Sequence, residues 1–151
     1  MLSPKSPRKY ALEILLDVDD GKSRASDLID QTIKKHGFLE QDRSFLTELV
    51  YGTIRWQENL DWTMTQFITS AKLRKTQPEI LEILRLGIYQ LLHLDGVADY
   101  AAVSESVELA KKYGNKGASG FVNAVLRNVI RSKSKIIKFK LSIPIPISFI
   151  Y

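Results

Sequence analysis

From residue 80 to residue 92 the chain reads ILEILRLGIYQLL, and toward its end this segment is apolar on almost every face. A helix of that kind has no solvent side and must be enclosed by other elements. Ile80, Leu84, Gly87, Ile88, Leu91 and Leu92 recur at helical spacing. Thr76-Gln77-Pro78-Glu79 just upstream reads as a capping box with proline in the first turn. Whatever else this chain does, it must wrap partner helices around that segment.

The rest of the sequence supplies them. Ser6-Pro7 reads as an N-cap followed by the first helical residue, because proline's fixed φ and missing N–H suit that place. Ala11, Ile14, Leu15 and Val18 share one face, and Gly21 stops the helix. Leu28, Ile29 and Ile33 mark a second helix closed by Gly37, with Lys34 and Lys35 suiting its C-terminal dipole. From Gln41 to about Ser70, Phe45, Leu46, Leu49 and Val50 form a stripe that Leu60, Trp62, Met64, Phe67 and Ile68 continue. The pattern there fits one bent helix or two, and Gly52 within it implies a kink or a close helix–helix approach. Asp99 reads as the N-cap of the next helix, with Ala102, Val103, Val107 and Ala110 inward and Gly114 at its end in a positive-φ conformation. Ser119 or Gly120 then starts a last helix bearing Phe121, Val122, Val125, Leu126, Val129 and Ile130. The expectation is an all-α bundle of six to seven helices.

A chain of 151 residues is about one domain long. With 44% hydrophobic residues it can bury a core that needs neither disulfide nor metal. The absence of cysteine excludes disulfides, thiolate metal sites and a cysteine nucleophile. Glu13 and Asp17 interrupt the first apolar segment, Ala11–Val18, and no apolar run reaches membrane-spanning length. A cytoplasmic protein without a membrane partner is expected.

Charge is distributed unevenly. The net charge is +5, yet every charged residue from Lys111 to Lys140 is basic, and Lys5, Arg8 and Lys9 precede the first acid, Glu13. That asymmetry points to a face for a polyanion, nucleic acid above all.

The stretch YGNKGASGFVNAVLR, Tyr113 to Arg127, has the glycines of a phosphate loop but not its context. A Walker loop or dinucleotide fingerprint follows a strand, whereas this one follows a helix, and its spacing is G-x-x-G-x-x-G. It reads instead as a turn between helices, where amides at a helix start beside Lys116 can hold one backbone phosphate. His36 and His93 sit at helix ends with no second ligand three or four residues away, so no metal is expected. Asp42, Glu48, Glu105 and Glu108 lie on amphipathic helices as solvated or paired groups. No nucleophile–base–orienter set can be assembled. Tyr51, Trp56 and Trp62 surround Arg55, an arrangement found in cores and also on surfaces that stack unpaired bases.

Taken together, DRSFLTELVYGTIRW (Asp42–Trp56), LRLGIYQLLHLD (Leu84–Asp95), AAVSESVELAKKYG (Ala101–Gly114) and GFVNAVLR (Gly120–Arg127) resemble the NusB-like domain. They are most similar to its version at the N-terminus of RsmB-type ribosomal-RNA cytosine-C5 methyltransferases. The resemblance covers roughly Ser6 to Arg131. ELVYGTIRW followed by LDW favours the methyltransferase branch over free-standing NusB, a transcription antitermination factor that binds boxA RNA with the ribosomal protein NusE. Two departures are small. Ala98 stands where proline is common, which loosens the approach to the penultimate helix, and Ser104 stands where asparagine is common.

The resemblance implies a non-catalytic RNA-binding module in residues 1–133, with residues 134–151 as a tail or linker remnant in which Lys138–Ile143 alternates like an extended segment. In the methyltransferases a Rossmann-type domain follows that binds S-adenosylmethionine and supplies catalytic cysteines. Neither that domain nor a cysteine is present, so no cofactor is expected, and a truncated or frameshifted parent gene is one origin of the tail. The expected RNA contacts are Arg8 and Lys9 from the first helix, Arg55, and Lys111, Lys112, Lys116, Arg127 and Arg131 around the last turn. The expected partner is RNA, in particular ribosomal RNA, with a methyltransferase domain or ribosomal protein as a further one. The alternative is an antitermination factor or protein-interaction module, marked by an exposed apolar patch.

Overall fold

A computed structural model describes residues 6–136. Eight helices follow in order: α1 (Pro7–Asp19), α2 (Ala25–His36), α3 (Glu40–Arg55), α4 (Gln57–Thr65), α5 (Ser70–Lys75), α6 (Pro78–His93), α7 (Asp99–Tyr113) and α8 (Lys116–Arg131). No strand occurs among the described residues. The architecture is the expected all-α bundle. With the stretch from Gln41 counted as two helices the expectation is seven, so the excess is the short α5, together with a further helical turn at residues 133–136. The expected extended segment at Lys138–Ile143 lies outside the described residues, as does Lys5.

The apolar segment is central. α6 buries Ile80, Ile83, Leu84, Leu86, Ile88 and Leu91, and α1, α3, α4, α7 and α8 all pack on it. Each such side chain contributes about 1.5–3 kcal/mol on burial, so this one helix carries much of the hydrophobic driving force. Residues 133–136 are again helical, and Ile136 is buried in the core.

Several local expectations resolve in instructive ways. Gly21 and Gly37 do end α1 and α2 with φ of 71° and 62°. The stretch from Gln41 is two helices: Trp56 (φ −99°, ψ 11°) interrupts the run, while its ring stacks on His93 at 4.4 Å between centroids. Gly52 allows a close helix approach, since a Cβ there would overlap the Tyr89 ring of α6. The capping box does not form. Gln77 occupies the N-cap of α6, and the Thr76 hydroxyl donates to the Lys72 carbonyl at 2.7 Å, closing α5. Asp99 is the first helical residue of α7 and not its cap; Ala98 holds that place, and Asp99 pairs with Lys133 at 3.5 Å. Gly114 has φ −123°, so left-handed geometry is not what it supplies. Its role is space: a Cβ would lie 2.8 Å from the Ala118 Cβ and 2.9 Å from Ile80 Cδ1. Ser6 takes the N-cap position of α1 by backbone geometry alone, its hydroxyl making no capping bond.

Candidate nucleic-acid interface

The sequence-predicted cations separate into groups once folded. Arg8 goes inward. Its side chain is 14% exposed, its Nε donates to Gln90 Oε1 at 2.6 Å, and its Nη1 pairs with Glu105. Its guanidinium carbon lies 5.0 Å from the centre of the Phe45 ring. Burial holds the guanidinium below its ordinary pKa, opposed by the Glu105 carboxylate. Arg8 is thereby a fastener between α1, α3, α6 and α7, occupied within the molecule.

Lys9, its neighbour, is half-buried and meets the exposed Lys112 from the last turn of α7. Direct approach of the Lys9 ammonium, together with some desolvation, holds Lys112 below the usual lysine range. The two ammoniums lie 5.3 Å and 5.5 Å from the ring centres of Tyr10 and Tyr113. Tyr113 donates to Glu13 Oε1 at 2.7 Å, and burial followed by that carboxylate raises its phenol above the ordinary value. Lys111 instead pairs with Glu108 at 3.1 Å. Arg55 sits exposed at the end of α3, close enough to influence the Tyr89 phenol, and is not brought to either cationic group by any contact seen among the described residues.

The second group is on α8. This helix begins at Lys116, earlier than Ser119 or Gly120, because Asn115 caps it by accepting from the Ala118 amide at 2.9 Å. Lys116 is exposed in the first turn. Arg127 and Arg131 are exposed one turn apart, each donating to a neutral asparagine of the same helix, Asn123 at 3.1 Å and Asn128 respectively. Gly117, Gly120 and Ala124 are exposed between Lys116 and Arg127, so this face offers flat backbone flanked by cations.

Sequence reasoning missed α5. Lys72, Arg74 and Lys75 are exposed on it, and Lys72 Nζ lies 4.8 Å from the centre of the Phe121 ring on α8. That contact brings the Lys72 ammonium of α5 to the first half of α8. The signal was present: no acid occurs between Asp61 and Glu79. Among the described residues no carboxylate lies within 4.0 Å of Lys72, Arg74, Lys75, Lys116, Arg127 or Arg131. Such side chains keep their charge available for phosphate oxygens.

The remaining candidates are structural. His36 bonds the Tyr10 hydroxyl at 3.2 Å, and His93 lies between Trp56 and Tyr89. Tyr51 is 41% exposed, whereas Trp56 is half-buried. Among the described residues no group of three His, Asp or Glu side chains is placed to hold a metal ion, and no helix is long and apolar enough to cross a membrane.

Known proteins are similar to this chain in sequence and in shape. The family model described as "NusB family" matches residues 5–131. The "Probable ribosomal RNA small subunit methyltransferase B" of Bacillus subtilis is 40% identical over 126 residues, covering 83% of this chain and 28% of that protein. The chain thus spans under a third of the length of that relative. The "Transcription antitermination protein NusB" of Acetivibrio thermocellus is 30% identical over 129 residues, covering 85% of this chain and 89% of that protein. In shape the chain is similar to a solved structure described as antitermination factors NusB and NusE in complex with dsRNA, with a TM-score of 0.75 at 22% identity, covering 85% of this chain and 96% of that one. The chain belongs to the NusB family.

Proposed function

We propose that this chain is an RNA-binding module of the NusB family that contacts the phosphate backbone and performs no chemistry of its own. The observation that carries the reading is the α5–α8 surface, where Lys72 rests on Phe121 and the neighbouring cations have no carboxylate partner among the described residues. Lys9 and Lys112 add a second basic point on α1 and α7. Support comes from relatives whose names specify ribosomal-RNA methylation or antitermination, and from the similar fold seen with NusE and double-stranded RNA. In a full-length methyltransferase such a module would deliver small-subunit ribosomal RNA to a separate catalytic domain binding S-adenosylmethionine. The 40% identity to the Bacillus subtilis protein favours that setting. The second reading, a partner of a ribosomal protein in antitermination, draws on the near-full-length match to a NusB protein.

Fluorescence-anisotropy titration with labelled small-subunit ribosomal RNA fragments tests the proposal. Affinity should fall steeply between 50 and 300 mM salt, because backbone binding releases counterions. Affinity independent of salt would overturn it. Adding purified NusE-type ribosomal protein separates the two settings: a tighter ternary complex on a boxA-like RNA supports antitermination, and no change supports the methyltransferase role.

A further inference from the structure

Away from the cationic surface, one cluster of ionisable groups is built around a mostly buried arginine and a buried glutamate. Arg85 of α6 has a side chain only 14% exposed and meets carboxylates from three directions. Its Nε is 2.7 Å from Asp61 Oδ1 of α4, and its Nη1 is 2.6 Å from Glu82 Oε2 one turn earlier on α6. The same Nη1 is 3.8 Å from Asp19 Oδ2, at the last residue of α1. Glu82 is 3% exposed, the one buried carboxylate among the described residues.

Three carboxylates around one guanidinium leave an excess of negative charge beside Glu82, the member of the cluster that water reaches least. Two like charges in such a place cannot both remain ionised without large cost, and proton uptake by one of them is the usual relief. Glu82 is the group that yields. Burial first, then the Asp19 carboxylate that approaches the same Arg85 nitrogen, push its carboxyl up to about 7 against the pull of Arg85. Arg85 keeps its proton: burial works against its charge, but Asp61 and Glu82 hold its guanidinium above the ordinary range. The charged groups bearing on this centre are Asp19 from α1, Asp61 from α4, and Glu82 and Arg85 from α6; among the described residues α3, α7 and α8 contribute none to it.

We propose that Glu82 and Asp19 form a proton-sharing carboxyl pair, a pH-sensitive latch that fastens the last turn of α1 to α6. With Glu82 protonated, its O–H donates to the Asp19 carboxylate. With the proton lost, the two repel, and Asp19, whose side chain is 43% exposed, is the partner able to turn toward water. The turn that follows it, where Gly21 N–H donates to the Val18 carbonyl at 3.0 Å, is then released from α6.

The direction of the effect is determined. A carboxyl whose folded pKa is raised binds more protons folded than unfolded, so its stabilisation is full below about 4.5 and is lost as pH rises through about 7. Glu82→Gln mimics the protonated form with the same shape. Urea unfolding of the full chain and of Glu82→Gln at pH 5, 6, 7 and 8 should show the variant gaining on the wild type. The ratio of their unfolding constants should change by up to about tenfold per pH unit between 5 and 7, then level off. A ratio independent of pH overturns the proposal, as does a wild type that gains on the variant at pH 8. Carbon-13 NMR of the Glu82 carboxyl in the unaltered chain gives a second readout. A midpoint near 7 that falls in Asp19→Asn supports the pair, while a midpoint near 4.5, or one indifferent to Asp19→Asn, refutes it.

Discussion

Tyr89 lies against the bare backbone of Gly52, where a Cβ would overlap its ring, and its hydroxyl donates to Glu48 at 2.8 Å. The pair brings α3 and α6 together at a place where two ordinary side chains would hold them apart. Burial first, and then Glu48, raise the Tyr89 phenol above its ordinary pKa, so it remains a donor at any working pH.

Gly52→Ala sets two effects against each other. Alanine favours a helix by about 1 kcal/mol over glycine, but overpacking a tight contact costs about 1–3 kcal/mol. Because the obstacle is a ring held at its hydroxyl, the packing cost should win, and urea unfolding should show a net loss of stability. In a Tyr89→Ala background the obstacle is gone, so Gly52→Ala should become neutral or stabilising.

Gly120 presents the opposite case. It lies within α8, exposed, with nothing within 4 Å of a Cβ placed on it and no positive φ. Gly120→Ala should therefore stabilise the fold by about 1 kcal/mol, measured as a shift in the urea midpoint. Weaker RNA binding by this more stable variant would place the ligand directly against that helix face.

Arg8 and Arg127 should behave as contrasting arginines. Arg8→Ala leaves Glu105 and Gln90 without their partner in a half-buried site, and should cost about 2–3 kcal/mol of stability, since a hydrogen bond to a charged group contributes ~1.5–3 kcal/mol. RNA affinity per folded molecule should hold. Arg127→Ala should leave stability within about 0.5 kcal/mol of wild type, as for most surface changes, and weaken RNA binding.

The α5 cations give the sharpest test of the surface. Replacing Lys72, Arg74 and Lys75 by glutamine should lower affinity for all RNA sequences alike. The slope of log K against log salt should flatten by about 0.7–0.9 for each phosphate that α5 no longer neutralises. An unchanged slope would mean that the RNA does not touch α5. Circular dichroism of the triple variant should match the wild type, because these side chains are exposed.

Helices are legible because their signals are local. The spacing of Ile80, Leu84, Ile88 and Leu91 already states which residues face inward, and Gly37 marks its helix end by a conformation that glycine adopts at little cost. Features that depend on distant residues are harder to read. Thr76 and Glu79 have the letters of a capping box, yet Thr76 bonds back into α5, a helix whose apolar content is too small to show in the pattern. Gly114 reads as a source of left-handed geometry and supplies room instead, since Ile80 lies 34 positions away in the chain but next to it in space.

For the site, the letters alone establish that cations outnumber acids near the end of the chain and that no cysteine chemistry is possible. They do not say which cations remain available. Arg8 and Lys9 are adjacent letters, but the helix turns one toward Glu105 and Gln90 and the other toward Lys112. Lys72 joins the surface only because its ammonium comes to rest on the Phe121 ring of α8. A charge is free or spent according to the groups that long-range packing sets beside it, and the order of residues along the chain does not contain those distances. Periodicity chose the helices; tertiary contacts chose which of their charges face outward unpaired.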